Sequence, residues 1–341
     1  MPALENLYFE LSGGCNLLCA HCYVFDDASK RARPDRLTPE LVGATVSGAV
    51  PLGLTDCTFT GGEVLLRRDL IEILQAVAPS IERIHLLTNL TLLRAEHVEA
   101  LRHLPIAQVA TSLDGLEQSH DRFRGEAGAF QATWSAMMAL RDAGIPLKVS
   151  VTVTPENIDE VMTLFNQLDA LAIPASVARV AAVGRGSLLS IVPRDFNRRY
   201  AELLADRMAL AVSTRQIRSS SIQSEPRSTY CGVGESILYV MSDGMVGLCP
   251  TMTPATDARW AVGDLCAEPI QEIWRRYVAG KSDPLVCATS GTCGFGEICK
   301  GGCRSNAYTA SGDAGACDQE MWDGFSALAS RVSQTPKYSI T

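Results

Sequence analysis

Twelve cysteines, placed unevenly along the chain, constrain its fold more than any other feature. Three of them, Cys15, Cys19 and Cys22, stand in a C-x-x-x-C-x-x-C spacing near the start of the 341 residues. Cys57 stands alone, and the last eight lie between residues 231 and 317. A closed metal site or a cubane cluster needs four protein ligands, so three thiols predict a site with one corner open to a non-protein group. The last eight would suffice for two further four-cysteine clusters.

The cellular location decides what so many thiols can be. The start MPALENLYFE lacks the form of a signal peptide, and no apolar run approaches the roughly 18 residues of a membrane helix. We therefore predict a cytoplasmic protein, in which thiols stay reduced and metal ligation is favoured over disulfides. The net charge of -8 has no compensating basic block, so neither nucleic acid nor a membrane is an expected partner.

Residues 4 to about 213 alternate short β-rich runs with longer runs of helical period, which is typical of parallel strands joined by crossover helices. Six such units predict an α/β fold, a partial (β/α)6 TIM-type barrel that is open on one side. The predicted strands are 7–11, 57–60, 83–88, 107–113, 147–153 and 176–183, and the predicted helices are 38–50, 68–78, 94–103, 128–143, 157–170 and 193–213.

The composition changes after this region. The stretch RQIRSSSIQSEPRSTY is polar and serine-rich, as linkers are, and glycine and cysteine dominate beyond it around one short predicted helix at 268–279. Such a region has too little core to fold alone, so clusters would have to stabilise it. We divide the chain into a barrel at 1–214, a linker at 215–228, a cysteine-rich domain at 229–330 and a tail at 331–341.

Polar residues follow the first four predicted strands, and the carboxyl ends of strands in a parallel barrel converge on one rim. Glu63, after the second strand, could accept hydrogen bonds from an ammonium group, and the fork of Arg124 suits a carboxylate. Together they indicate a bound amino-acid moiety. The rim segments are the three leading cysteines, Thr60-Gly61-Gly62-Glu63, Thr88-Asn89 and Ser112-Leu113-Asp114-Gly115.

With these motifs the chain resembles the radical S-adenosylmethionine (SAM) enzymes that carry a SPASM domain. Cys15-x-x-x-Cys19-x-His21-Cys22 resembles the motif that binds a 4Fe-4S cluster whose fourth iron is chelated by the methionine part of SAM. The segment SLDGLEQSHDRFRGEAGAF is also similar to its family counterpart. The resemblance implies a cofactor-binding set: His21 beside the adenine, Gly61, Gly62 and Glu63 at the amino group, Ser112 and Arg124 at the carboxylate, and Asn89 on the same rim.

The C-terminal cysteines resemble the ligands of two auxiliary 4Fe-4S clusters. That resemblance implies one cluster at Cys231, Cys249 and Cys303, and another at Cys287, Cys293, Cys299 and Cys317. The family has a ligand where Ser290 stands, and Cys287 lies three residues earlier. The first cluster lacks an evident fourth ligand. Cys266 is a candidate for it, or a free thiol that delivers a hydrogen atom, or the open iron binds substrate. Zinc is the competing interpretation for these cysteines, and it would be colourless.

The resemblance implies an enzyme of oxidoreductase type that cleaves SAM reductively to a 5'-deoxyadenosyl radical, which abstracts hydrogen from a substrate. A flavodoxin or ferredoxin would donate the electron. The leading prediction is modification of a ribosomally made peptide, by oxidation, cross-linking or epimerisation, in natural product biosynthesis. The chain begins almost at its first strand, so we expect a separate protein to recognise the leader of the precursor peptide.

Two other functional classes remain open. One is a small-molecule epimerase or dehydrogenase acting on a sugar, aminoglycoside or nucleoside, with Cys266 as a candidate hydrogen donor. The other is a non-enzymatic electron carrier, which the SAM-binding set disfavours. Sulfatase maturation is also disfavoured, because Pro250 stands where the resembling enzymes carry an aspartate.

Overall fold

The computed structural model describes residues 1–25, 33–189, 196, 198–204, 207, 229, 231–280 and 285–333. The predicted linker at 215–228, most of the predicted helix at 193–213 and most of the predicted tail lie outside these residues. Residues 198–204 are helical, within that predicted helix.

Six parallel strands form the first part of a single sheet, in the order β6-β5-β4-β3-β2-β1. The sheet does not close on itself, and the predicted fold class is confirmed. The strands are β1 (Asn6–Ser12), β2 (Asp56–Gly61), β3 (Arg83–Leu87), β4 (Ile106–Ser112), β5 (Leu147–Thr152) and β6 (Ala175–Ala178). The helices between them are α1 (Pro39–Ala49), α2 (Leu70–Val77), α3 (Ala95–Leu101), α4 (Glu117–Arg124), α5 (Ala129–Asp142) and α6 (Ile158–Ala170).

Three C-terminal strands extend the same sheet beyond β1. The first of them pairs with β1 in parallel register, with Tyr8 opposite Tyr239, and the next two are antiparallel. These strands are β7 (Ile237–Val240), β8 (Met245–Gly247) and β9 (Gly263–Asp264). The helices around them are α7 (Ile270–Gly280), α8 (Gly296–Cys299), α9 (Arg304–Ser311) and α10 (Gln319–Ser333). The two ends of the chain therefore share one backbone hydrogen-bond network.

The sixth strand is shorter than the sequence predicts. It ends at Ala178, and the chain then turns into a 3-10 segment, Gly184–Leu189, instead of continuing as a strand to residue 183. This segment packs on the cysteine loop, because Arg185 N donates to Phe25 O at 2.7 Å. Gly184 has φ +59°, and a Cβ there would lie 2.5 Å from Cys22 O, so this close approach requires glycine.

The core lies between the sheet and its helices. Leu7, Phe9 and Leu11 of β1 are fully buried, and Phe9 stacks on Phe59 of β2 with ring centroids 5.5 Å apart. Each such side chain contributes about 1.5–3 kcal/mol to stability. Cys57 is part of this core, with no exposed surface. None of the described helices combines the length and the apolar character that a bilayer crossing requires.

Candidate active site

A cavity of 340 Å³ lies at the carboxyl ends of the parallel strands. The cysteine loop after β1 forms one side of it, and the ends of β2 to β6 form the rest. It collects almost the whole predicted SAM-binding set, with side chains from several separate strands, as expected for this rim. Its lining residues include Cys15, Cys19, His21, Cys22, Gly61, Gly62, Asn89, Ser112 and Arg124.

The cysteine loop is held from two sides. Its backbone donates from Leu18 N to Arg124 O at 3.1 Å and from Ala20 N to Phe123 O at 2.9 Å, so it lies on the end of α4. Arg185 Nε donates to Cys19 O at 2.9 Å from the opposite side. The loop is therefore held between α4 and the segment after β6.

The three thiols suit the cationic core of an iron-sulfur cluster. Burial raises the pKa of Cys15 to about 12, and the charges of Cys19 and Cys22 add to that effect. Three thiolates in one buried place repel one another, and bound iron removes that repulsion. The donor set therefore fits an iron-sulfur cluster that takes three protein ligands.

The two glycines after β2 bring that loop against the segment before Cys15. Gly62 N donates to Ser12 O at 2.7 Å and Glu63 N to Gly14 O at 2.8 Å. A Cβ on Gly62 would lie 2.2 Å from Gly14 O. The close approach that needs these glycines is thus one of backbone to backbone, and their main-chain atoms line the cavity.

Glu63 lies behind the cavity wall. It is 1% exposed and accepts hydrogen bonds from Leu65 N at 3.0 Å, Asn89 N at 2.7 Å and Thr88 Oγ1. Burial raises its pKa. The carboxylate therefore ties the β2 loop to the β3 loop, and the structure places Gly61 and Gly62, not Glu63, in the wall.

Arg124 is held by Asp114. Its Nε donates to Asp114 Oδ2 at 2.7 Å, and its Nη1 lies 3.6 Å from Cys19 Sγ. Asp114 also accepts from Thr152 N at 2.9 Å, which links α4 to β5. Burial alone would raise the pKa of Asp114, but the charge of Arg124, its other neighbours and the hydrogen bond from Thr152 N together outweigh that effect, and the pKa is lowered. The pair presents a fixed positive charge beside the cysteines.

His21 fits a place next to a flat base. Its ring stacks on Phe123 with centroids 4.4 Å apart and planes 5° apart. Burial lowers its pKa to about 4, so the ring is neutral at pH 7. Its Nδ1 is buried without a hydrogen-bond partner among the described residues. A ring nitrogen of this kind can bond the edge of an adenine.

Other cavity residues were not predicted. Ser150 and Thr152 lie at the end of β5, where the rim rule could have found them. Arg179 follows β6 directly, where the sequence pattern predicts continued strand, and Arg185 lies in the 3-10 segment Gly184–Leu189, beyond the predicted strand. Asp114 was part of a predicted rim segment, but its pairing with Arg124 depends on a helix that the sequence analysis did not predict.

A second, outer cavity of 460 Å³ adjoins the first at Arg179, which lines both. One wall comes from the ends of β5 and β6, and the other from α9 and α10. Arg179 Nη1 lies 2.6 Å from Glu320 Oε2, and its guanidinium lies 4.3 Å from the centre of the Tyr200 ring. This ion pair therefore stands where the walls of the two cavities share a residue.

The C-terminal cysteines form two groups. In auxiliary group I, defined as Cys231, Cys249 and Cys303, burial raises the pKa of Cys249 to about 11 and the charges of the other two add to it. In auxiliary group II, defined as Cys287, Cys293, Cys299 and Cys317, burial raises the pKa of Cys317 and the other three charges add to it. Each group is thus close enough for its thiolates to repel, and Cys287 belongs to the second group.

Cys266 lies apart from both groups. Its backbone N donates to Asp264 Oδ1 at 2.8 Å, and its Sγ lies 3.7 Å from Asp243 O. It is exposed and lines neither cavity. The two roles predicted for it, fourth ligand of the first auxiliary cluster and hydrogen donor, stay predictions.

No three His, Cys, Asp or Glu side chains of the described residues converge closely enough to hold one metal ion.

Two family models match the chain. Residues 9–168 match the radical SAM superfamily, and residues 231–304 match the SPASM model, described as an iron-sulfur cluster-binding domain. The first match spans β1 to α6 and all three leading cysteines. The second covers auxiliary group I and three cysteines of auxiliary group II, while Cys317 lies beyond it.

Individual proteins are similar over nearly the whole chain. An AdoMet-dependent heme synthase of Methanosarcina barkeri is 29% identical over 92% of this chain and 96% of its own length. A PqqA peptide cyclase of Streptomyces rochei is 26% identical over 93% of this chain and 88% of its own length. The solved structure of native anSMEcpe with bound AdoMet and the Cp18Cys peptide has the same fold, with a TM-score of 0.73, 19% identity and coverage of 97% and 98% of the two chains.

Proposed function

The chain is a radical SAM enzyme with a C-terminal SPASM domain, and from this premise we propose that it modifies a ribosomally made peptide by oxidation, cross-linking or epimerisation. A relative aligned over nearly its full length is named for a peptide reaction, as PqqA peptide cyclase. The reaction type remains the oxidoreductase type predicted from the sequence.

The observation that carries this proposal is the outer cavity. It runs between the strand ends of the barrel and the helices of the SPASM domain, and it meets the cysteine-lined cavity at Arg179. Leu188, which is 78% exposed, and Trp322, which is 41% exposed, stand near it in sequence and offer apolar contacts at the surface. An extended chain can lie in this groove while one side chain passes Arg179 toward the cysteine loop.

Different residues of this chain would bind the cluster and SAM. Cys15, Cys19 and Cys22 would hold the cluster, which together with SAM supplies the 5'-deoxyadenosyl radical that abstracts a substrate hydrogen. Arg124, oriented by Asp114, would bind the carboxylate of SAM, and His21 would lie against its adenine. The surrounding strands and helices exclude water from this reactive centre.

A second candidate is a reaction of heme synthesis, with a tetrapyrrole as the substrate. It is favoured by the nearly end-to-end similarity to an AdoMet-dependent heme synthase. Arg179 already binds the carboxylate of Glu320, so it could exchange that partner for a propionate. A sugar, aminoglycoside or nucleoside reaction that uses Cys266 gains no support, because Cys266 lines neither cavity.

The test is an anaerobic assay with reconstituted protein, dithionite and SAM. One reaction contains the precursor peptide encoded beside the gene, and another contains iron coproporphyrin III. We expect 5'-deoxyadenosine together with a peptide that has lost two hydrogens, or that has gained deuterium at one α-carbon in deuterated solvent. A tetrapyrrole of changed mass together with an unchanged peptide would overturn the proposal.

Two cysteine variants control the assay. Cys19→Ala removes a cavity thiol and should abolish formation of 5'-deoxyadenosine. Cys57→Ala removes a buried thiol of β2 that lines neither cavity, so it should keep that activity. Arg179→Gln should lower the rate of peptide modification more than it lowers the background rate of SAM cleavage without substrate. The reason is that it changes the residue shared by the two cavities and leaves the cysteine loop intact.

A further inference from the structure

Arg304 is a buried charge in the SPASM domain. It follows Cys303 directly, begins α9 and is 1% exposed. Its Nη1 donates to Ala314 O and Ala316 O, both at 2.8 Å. These two bonds hold the guanidinium against the loop that leads to Cys317.

The rest of this guanidinium has no acceptor. Its Nε and Nη2 are buried without a hydrogen-bond partner among the described residues. Since a guanidinium carries five N–H groups and Nη1 has two of them, three remain. Charged donors left unmet inside a protein cost free energy, so a missing acceptor is expected at this place.

One of the unmet nitrogens lies close to auxiliary group II. A Cβ built on Gly301 would lie 2.3 Å from Cys287 Cβ and 2.4 Å from Arg304 Nη2, so these two atoms are close to each other beside that glycine. Gly301 has φ +84° and lies in the turn between Cys299 and Cys303.

We propose that Arg304 is a positioning residue for an iron-sulfur cluster in auxiliary group II, to whose sulfur atoms its remaining N–H groups donate, and that its charge raises the reduction potential of that cluster. The proposal rests on the proposed function only in requiring that Cys287, Cys293, Cys299 and Cys317 hold such a cluster. No substrate enters the argument.

The direction of the effect follows from charge. A cluster with four thiolate ligands is an anion, and one-electron reduction makes it more negative. A buried cation and N–H donors stabilise the reduced form more than the oxidised form. Hydrogen bonds to sulfur are among the known determinants of cluster potential. Removing Arg304 therefore makes the cluster harder to reduce.

The experiment compares Arg304→Gln and Arg304→Lys with the parent chain, all anaerobically reconstituted. Each chain also carries Cys249→Ala, which removes one thiol of auxiliary group I, so that auxiliary group II can be followed separately. The front cluster is recognised because SAM perturbs its paramagnetic signal. Iron per chain is counted, and paramagnetic resonance follows a dithionite titration with mediators. Arg275→Gln, on the exposed side of α7, is the matched control.

We expect full iron in both variants. At the midpoint potential of the parent, the ratio of reduced to oxidised cluster should fall at least tenfold in Arg304→Gln, which corresponds to about 59 mV for one electron. Arg304→Lys keeps the positive charge and loses the planar guanidinium, so the shift in reduction potential should be smaller than in Arg304→Gln. Arg275→Gln should leave the potential unchanged.

Two results would overturn the proposal. An unchanged potential in Arg304→Gln with full iron would mean that water satisfies the donors. Loss of this cluster's iron in both Arg304 variants would mean that the side chain only anchors the loop. A failed peptide assay would not affect either readout, so the two proposals fail separately.

Discussion

Arg124 can act on a ligand carboxylate only if its guanidinium keeps one orientation, and Asp114 is the residue that fixes it. Asp114→Asn keeps the shape and removes the charge, leaving the buried Arg124 without its counter-ion. Breaking such a pair costs about 3–5 kcal/mol. We expect a lower free energy of unfolding of that order and weaker SAM binding, measured by urea denaturation and by calorimetric titration with SAM.

The stability that the Asp114–Arg124 pair contributes depends on pH. The folded pKa of Asp114 is lowered from an unfolded value of about 3.9, so the pair stabilises the fold above that value and loses its effect as pH falls through the folded pKa. The difference between parent and Asp114→Asn should therefore stay constant from pH 8 to pH 5. Asp142→Asn, at an exposed pair, is the control. Equal SAM affinity in parent and Asp114→Asn would contradict this role.

The sequence predicts the position of some site residues better than that of others. The spacing of Cys15, Cys19 and Cys22 and the separation of Ser112 from Arg124 were enough to predict side chains that the fold gathers around one cavity. Glu63 was predicted to face the ligand, yet its carboxylate is occupied by backbone donors at Leu65 and Asn89. Backbone donors carry no sequence signature, so no motif could have shown that.

The loop after β2 tests how the elements position the site. Gly62→Ala would place a methyl group 2.2 Å from Gly14 O, which is backbone and cannot move without shifting Cys15. We expect lower stability and loss of iron from the front cluster, measured by thermal denaturation and iron content. Gly324→Ala is the matched control, because nothing lies within 4 Å of its Cβ and α10 should gain about 0.5–1 kcal/mol. Full iron and unchanged SAM binding in Gly62→Ala would contradict this account.

The elements most visible in the sequence were those with a strong period and a cap. Thr38 caps α1 and accepts from Leu41 N at 3.2 Å, with Pro39 in the first turn, as the local sequence predicts. Strands β7 to β9 have two to four residues each and exist by pairing with β1 and with one another. Such short segments carry too little pattern to be predicted. Helix α4 was not predicted because most of its residues are polar, as they are in a loop.

The sequence predicts a barrel and a separate cysteine-rich domain, but one continuous sheet contains strands of both. Strand β7 pairs with β1 in parallel, so backbone hydrogen bonds cross the predicted boundary. Trp274 Nε1 of α7 donates to Pro2 O at 3.1 Å, which adds a second link. Pairing over such a sequence separation depends on tertiary packing, which composition cannot reveal. We therefore expect the two parts to unfold together.

A buried polar cluster joins the two parts at this seam. Glu10 of β1 is 1% exposed and accepts from Arg33 Nη2 at 2.7 Å and from Tyr239 Oη of β7 at 2.9 Å. Tyr239→Phe removes one charge-assisted hydrogen bond, worth about 1.5–3 kcal/mol. We expect the free energy of unfolding to fall by that amount, measured in urea with helical circular dichroism and cluster absorbance as two probes.

If the continuous sheet makes the chain one cooperative unit, the two probes must change together. They should report one transition in the parent and one transition at lower urea in Tyr239→Phe. Tyr277→Phe loses a bond to Gly234 O that lies within the C-terminal part, and it should also shift both probes, because local damage there would destabilise the whole sheet. Loss of cluster absorbance at lower urea than loss of helix, in either variant, would mean that β7 only rests against β1 and that the two parts unfold separately.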